Sequence, residues 1–255
     1  MEELYTTWKA IGVAGGDLSF FQDFFVKFYQ AFIEGDRWLQ YLNGVKTTLL
    51  VTALALILGI VLGVLVAMLR TAHDQQRPGH RNPILAVLNL ICKVYVTVIR
   101  GTPMMVQLLI MGFVIFASSR NFTMIGTLTL GINSGAYVSE IVRGGLMSVD
   151  KGQMEAGRSL GLNYMTTMRF IVIPQAVKAI LPALGNEFII LLKDTSLITV
   201  IGGKELLHAA QGIMGRTYEA MFPLIGIACM YLVLVMIFTW LLGKLERRLR
   251  QSDRR

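Results

Sequence analysis

The chain has 255 residues, 54% of them hydrophobic and 16% charged, with a mean hydropathy of +0.59, which exceeds what a soluble core of this size needs. Net charge is +8, but the basic residues lie between and after the apolar runs, so positive-inside loops of a multi-pass membrane protein explain them and nucleic acid is excluded as a partner. Cys92 and Cys229 sit in apolar runs, and no Cys-x-x-Cys or Cys/His cluster occurs, which excludes a disulfide framework and a metal site.

In chain order, Met1-Glu2-Glu3 provides no basic leader region, so no cleavable signal peptide is expected. Phe20, Phe21, Phe24, Phe25, Phe28 and Phe32 then recur at helical spacing, with Asp23 and Lys27 between them and Glu34 just after. This amphipathic helix suits either the membrane interface, with Trp38 and Tyr41 near the headgroups, or a seat on the bundle itself. A crossing takes about 20 apolar residues. Thr47 to Leu69 and Ala220 to Gly243 qualify without a charge. Ile84 to Ile99 is either a separate crossing or the first half of one long helix continuing past Pro103 to Phe116, and Asn121 to Ser139 follows beyond Arg120. Pro182 and Gly185 predict one broken or short helix over Val177 to Ile198.

Charge parity selects among these options. Lys244 to Arg255 holds six basic and two acidic residues and belongs in the cytoplasm, whereas Met1 to Leu42 holds three basic and six acidic residues and belongs outside. An odd number of crossings is required, which favours one helix between 84 and 116. The expected fold is all-α: a polytopic membrane bundle of about five transmembrane helices, N-terminus outside, C-terminus cytoplasmic, in the plasma membrane. Its divisions are an extracytoplasmic or interfacial segment over 1–43, a membrane domain over 44–248 and a basic tail over 249–255. The loops Arg70 to Arg81 and Arg143 to Lys178 are then cytoplasmic.

The second of these loops carries a pattern. Asp150 is followed by Lys151-Gly152-Gln153-Met154-Glu155-Ala156-Gly157-Arg158-Ser159-Leu160-Gly161, and later by Ile171-Val172-Ile173-Pro174. Glu155 to Leu160 reads as a short helix with an acid in its first turn, Gly161 stops it, and Pro174 prevents the next helix from extending backwards. Glu-Ala, then Gly161, nine residues and Ile171-x-x-Pro174 resemble the EAA loop of bacterial ABC importer permeases. One position departs: Gly157 stands where that family usually has a second Ala, so Gly157→Ala is expected to preserve or improve coupling, and bulk at Gly161 to uncouple.

Arg100-Gly101-Thr102-Pro103 with Gln107, Asn133-Ser134-Gly135-Ala136-Tyr137-Val138-Ser139-Glu140 with Arg143, and Lys193-Asp194-Thr195-Ser196-Leu197 are similar to the polar amino-acid permease group that includes histidine, arginine and glutamine importers. The resemblance spans about Asn43 to Arg248. It implies that Glu155, Ala156, Gly157, Arg158, Gly161 and Pro174 form a coupling helix docked on a separate ATPase subunit. That subunit, not this chain, would bind ATP and Mg. It further implies an extracytoplasmic amino-acid-binding protein and a second permease, either another copy or a related chain, all within membrane lipid.

An ionised side chain inside a bilayer costs ~2.5 to 3.5 kcal/mol on insertion scales, so Glu140, Glu187, Lys193 and Asp194 are functional candidates. Thr102, Gln107, Asn133, Ser134, Glu140, Lys193, Asp194, Thr195 and Ser196 are the candidate lining of a polar path, offering acceptors for an ammonium and donors for a carboxylate. The plainer alternative makes Glu140 and Arg143 a surface pair and lets Lys193 and Asp194 snorkel. No enzyme motif appears, and Gly203-Lys204-Glu205 lacks the Ser or Thr of a P-loop, so the chain is not expected to power transport itself. The competing functions are a gradient-driven carrier using its intramembrane acids and a non-transporting scaffold.

Overall fold

A computed structural model describes residues 1–76 and 82–252. These residues are helical throughout: α1 (Glu2–Val13), α2 (Phe20–Phe32), α3 (Arg37–Asp74), α4 (Pro83–Gly101), α5 (Met104–Ile110), α6 (Phe122–Met147), α7 (Lys151–Ser159), α8 (Tyr164–Thr167), α9 (Ile173–Asp194), α10 (Leu206–Thr217) and α11 (Met221–Ser252). Two π-helical segments, Met111–Ile115 and Met168–Val172, extend α5 and join α8 to α9, and a 3-10 segment, Thr195–Ile201, finishes α9.

Among the described residues, four stretches are long and apolar enough to cross a membrane: Glu34–Asp74, Pro83–Gly101, Tyr164–Ile201 and Met221–Leu249. The helix that organises them is α6, whose small and hydroxyl-bearing residues dilute its hydropathy and which is buried at twelve positions. Its seam with α3 is built from residues lacking bulk. A Cβ added at Gly59 would lie 2.7 Å from Ser134 Oγ, and one at Gly63 would lie 2.6 Å from the side chain of Val138. Further along, Ala67 meets Val142 in one buried cluster, and Asp74 pairs with Arg143 at 3.0 Å. Residue numbers rise together along both helices, so α3 and α6 run in the same direction.

That register fixes the topology. The chain between them, α4 and α5, must return across the bundle once, and Asn89 beside His73 at the end of α3, with Phe113 near Phe122 at the start of α6, marks the two ends of the return. Gly145 against Ile180, Ser134 hydrogen-bonded to Glu187 and Gly126 against Ile198 run α9 antiparallel to α6. Gly185 against Leu242 and Phe188 near Phe238 reverse the direction again for α11. Five traverses result, and the start of α3 and the end of α11 lie at opposite ends of the bundle. The expected single helix over 84–116 is corrected to two: Thr102 and Pro103 are extended, because Pro103 has no N–H to donate and disfavours helical geometry in the residue before it. The expected break over 177–198 is also corrected. The α-helix runs through Pro182 from Ile173 to Asp194 and tightens only at Thr195, while Gly185 serves the close approach of α11.

The N-terminal segment is a helical hairpin. Ser19 and Gln22 form a reciprocal capping box that starts α2. Tyr5 stacks on Tyr29 at 4.2 Å, and Lys9 pairs with Glu34, a hydrogen bond that raises the lysine above its ordinary range. Helix α2 lies on the bundle, with Phe24 4.9 Å from Phe222 and Phe32 5.4 Å from Tyr41, while Phe20 and Phe21 are 87% and 70% exposed. Tyr41, expected near headgroups, is instead buried beneath Phe32 and α10 because that side of α3 faces the hairpin.

Gly63→Leu should wedge α3 from α6 and lower the thermal stability of the detergent-solubilised chain by about 1 to 3 kcal/mol. Gly243→Leu, at a position whose added Cβ meets nothing within 4 Å, should leave it unchanged in the same melt.

Candidate functional site

The loop between α6 and α9 folds as a compact element projecting at one end of the bundle. Asp150 starts α7 by accepting the Gly152 N–H at 2.6 Å, so the helix begins four residues before Glu155, which therefore lies in its second turn. Gly161 ends it with φ +82°: its N–H donates to Arg158 O at 3.0 Å and the Leu162 N–H to Gly157 O at 3.1 Å, a Schellman closure. Asn163 then caps α8 by accepting the Thr166 N–H at 2.9 Å.

From Tyr164 the helix is continuous to Ile201. Pro174 does not block backward extension, as its sequence position suggested. The preceding turn widens into π geometry over Met168–Val172, which accommodates the missing N–H and the ring of Pro174 without ending the helix. The projecting element is thus rooted directly in a long apolar helical rod. A Gln175 amide donates to Gln153 at 3.1 Å, and the Tyr164 hydroxyl donates to Gln75 at the end of α3, tying the element to its supports.

Glu155, Ala156 and Arg158 are exposed on α7, as are Leu160 at 81%, Met165 at 69% and Phe170 at 67%. Gly157 points the other way. It is buried against α8, and an added Cβ would lie 2.5 Å from Thr167 Cγ2 and 3.0 Å from its Oγ1. The expectation that Ala is welcome at 157 is therefore reversed, since the side chain of Thr167 occupies that volume. At Gly161 an added Cβ meets nothing within 4 Å, so the requirement there is left-handed backbone rather than space.

The polar residues of the bundle fall into separate groups and do not converge on one site. At the break after α4, the Gln107 amide donates to Ile99 O at 2.7 Å, Thr102 O at 3.1 Å and Thr102 Oγ1 at 2.8 Å, and accepts from Asn133 at 3.0 Å. Carbonyls released by Pro103 are thereby satisfied inside the protein, as a bilayer demands. In the core, Ser134 Oγ donates to the buried Glu187 at 2.8 Å. At the α7 end, Glu140 pairs with Arg70 and Arg143 with Asp74, so neither forms the expected pair with the other; both lace α6 to α3. Near the other end of α9, Lys193 is exposed, Asp194 is partly buried, and Thr195 and Ser196 donate to Leu192 O and Lys193 O. Sequence reasoning missed Arg70 and Asp74 as partners, and missed a buried carboxylate at Glu205. Arg70 and Asp74 could have been found at helical spacing along α3 once its parallel register with α6 was known.

Comparison with known proteins places this arrangement. A family described as "Binding-protein-dependent transport system inner membrane component" matches residues 84–251. A putative glutamine transport system permease protein GlnP of Rickettsia typhi is 34% identical over 229 residues, covering 89% of this chain and 97% of that protein. A crystal structure of an amino acid ABC transporter with histidines superposes with a TM-score of 0.73 at 40% identity, over 82% of this chain and 94% of that one. An inward-facing MetNI methionine ABC transporter shares the fold, with a TM-score of 0.69 at 20% identity over 85% and 99%.

Gly157→Ala should loosen α7 from α8 by about 1 to 3 kcal/mol, read as faster protease cleavage within 150–165. Adding Thr167→Ser removes the opposing methyl but keeps the hydroxyl that donates to Asn163 O, and should restore resistance in the double variant.

Proposed function

Because the chain belongs to the family of binding-protein-dependent transport system inner membrane components, we propose that it carries polar amino acids, glutamine the first to test, between α6, α9 and a second permease chain. It is the permease component of an amino-acid ABC importer, a multi-pass protein of the cell membrane. The observation that carries the finer reading is the continuous rod Tyr164–Ile201, which joins a projecting element with exposed Leu160, Met165 and Phe170 to the centre of the bundle.

In this reading α7 and α8 dock on a separate ATPase that binds ATP and Mg. Arg158 and Glu155 supply polar contacts, and the exposed apolar residues supply buried area. Docking energy is useful only if displacement reaches the bundle, and the widened turn before Pro174 keeps the backbone connection helical. The element lies in the cytoplasm, with Lys151, Arg158, Arg169 and the basic end of α11 on the same side, which accords with the positive-inside rule. The start of α3 and α10 then face outward, where an amino-acid-binding protein would deliver its cargo.

Five traverses enclose little space, so a second permease completes the path. Asn133 and Asp194 offer acceptors to an ammonium and Lys193 offers donors to a carboxylate, while Glu187, Thr195 and Ser196, engaged in internal hydrogen bonds, support the lining. Thr102, Gln107 and Ser134 support the lining through their internal hydrogen bonds, and Glu140 holds its cytoplasmic end through Arg70. Outside, the hairpin α1–α2 sits in the outer leaflet interface: exposed Phe20, Phe21 and Trp38 continue the apolar outer face of α11 at Met221 and Ile225.

Uptake by proteoliposomes holding the complex with its ATPase tests the reading. Labelled glutamine should accumulate only with ATP on the α7 side and binding protein on the other. Accumulation driven by an ion gradient without ATP would overturn it, as would ATP hydrolysis by this chain alone. A tryptophan placed by Phe20→Trp in a Trp-free background should be quenched by brominated lipids if the hairpin lies in the interface, and an unquenched signal would remove it from there.

A further inference from the structure

The rod that begins at the coupling element ends on a buried carboxylate to which the transport reading gives no task. Glu205 is 2% exposed. Its Oε1 accepts from Thr199 Oγ1 at 2.5 Å and from the His208 N–H at 2.8 Å, and its Oε2 accepts from the Tyr231 hydroxyl at 2.6 Å. The next residue, Leu206, donates its N–H to Thr48 Oγ1 at 3.3 Å. Thr199 belongs to the last turns of the rod, His208 to α10, Tyr231 to α11 and Thr48 to α3.

The covalent route between the same elements is weak by comparison. Only Gly202, Gly203 and Lys204 separate the rod from Glu205, and Gly202 turns with φ +87°. Glycine makes such a turn permissive, so the backbone alone would let α10 swing. A carboxyl group held by three donors from three elements is stiffer, because each hydrogen bond fixes it to a different helix. The position is also tight. Gly44 brings the backbone of α3 against the start of α10, where an added Cβ would lie 2.8 Å from Leu206 Cα. Burying a polar side chain at this point costs more than filling the space with an apolar one, so a packing role alone does not call for it.

We infer that Glu205 is the joint through which displacement of the Tyr164–Ile201 rod, started at the coupling element, reaches α10 and α11 at the far end of the bundle. It is a positioning residue for opening the outward side and touches no substrate. The inference rests on the coupling role proposed for residues 150–174. Its physical content is that Thr199 passes movement of the rod to one carboxylate, and that carboxylate moves α10 through its cap and α11 through Tyr231.

Thr199→Val and Tyr231→Phe each delete one donor at nearly constant volume, and Glu205→Ala deletes the joint. In the complex reconstituted with its ATPase and binding protein, each variant should keep ATP hydrolysis and the uptake KM, while uptake kcat falls about tenfold. Glu205→Gln, which keeps the size and can still accept from Thr199 and His208, should retain more uptake than Glu205→Ala. An unchanged ratio of uptake to hydrolysis in all four variants would overturn the joint. So would uptake and hydrolysis falling together in step with the amount of folded complex, which is the mark of a purely structural role. Failure of the coupling reading has a different signature: an ATPase that binds and hydrolyses normally against a chain carrying Arg158→Glu with Gly161→Ala, a result that removes the premise and the joint together.

Discussion

Between α3 and α6 the helices approach so closely that a single methyl group would not fit at Gly59 or Gly63. Lipid tails are as apolar as leucine, so helices in a bilayer gain little by hiding hydrophobic side chains from one another, and close van der Waals contact between small residues takes over. Those contacts set the parallel register of α3 and α6, and the rest follows from it. A single return over 83–115 becomes necessary, Arg70 and Asp74 come opposite Glu140 and Arg143, and α9 is left to pack against both α6 and α3. The seam therefore determines the topology and also which charges can meet.

A second constraint is that backbone groups freed by an interruption cannot turn to water inside the membrane. Each interruption here has a local answer. After α4 the side chain of Gln107 takes the carbonyls that Pro103 leaves open; before α9 a π turn absorbs Pro174; after α7 the left-handed Gly161 closes the helix with two backbone bonds. The second of these has a mechanical consequence. A proline that terminated the helix would separate the projecting element from the bundle by a loop, whereas the widened turn leaves them on one continuous rod.

Much of the architecture was legible in the residues. Charge parity called for an odd number of crossings, in keeping with the five traverses of the bundle, and the Glu155 to Pro174 spacing located the projecting element and its family. The amphipathic pattern of phenylalanines located α2 to the residue. Less could be read of the interruptions. Pro103, Pro174 and Pro182 look alike in sequence, yet the first splits a helix, the second is absorbed by a π turn and the third is carried inside an α-helix. The surroundings of Gly157 were hidden for a related reason, because the family pattern gives a residue type at that position and only packing reveals that Thr167 fills the space beside it.

The sequence by itself determined class, the all-helical membrane character and family. These depend on hydropathy, charge bias and local motifs, which act over one helix or one loop and need no knowledge of partners. Tertiary structure decided which polar residues belong together. Glu140 joins Arg70 rather than Arg143, Gln107 serves the backbone as well as Asn133, and Glu205, which reads as an ordinary loop acid in the sequence, becomes the buried meeting point of the rod, α10 and α11. The physical reason is range. A hydrogen bond is settled within about 3 Å, and only the register of helices far apart in the chain brings donors and acceptors to that distance.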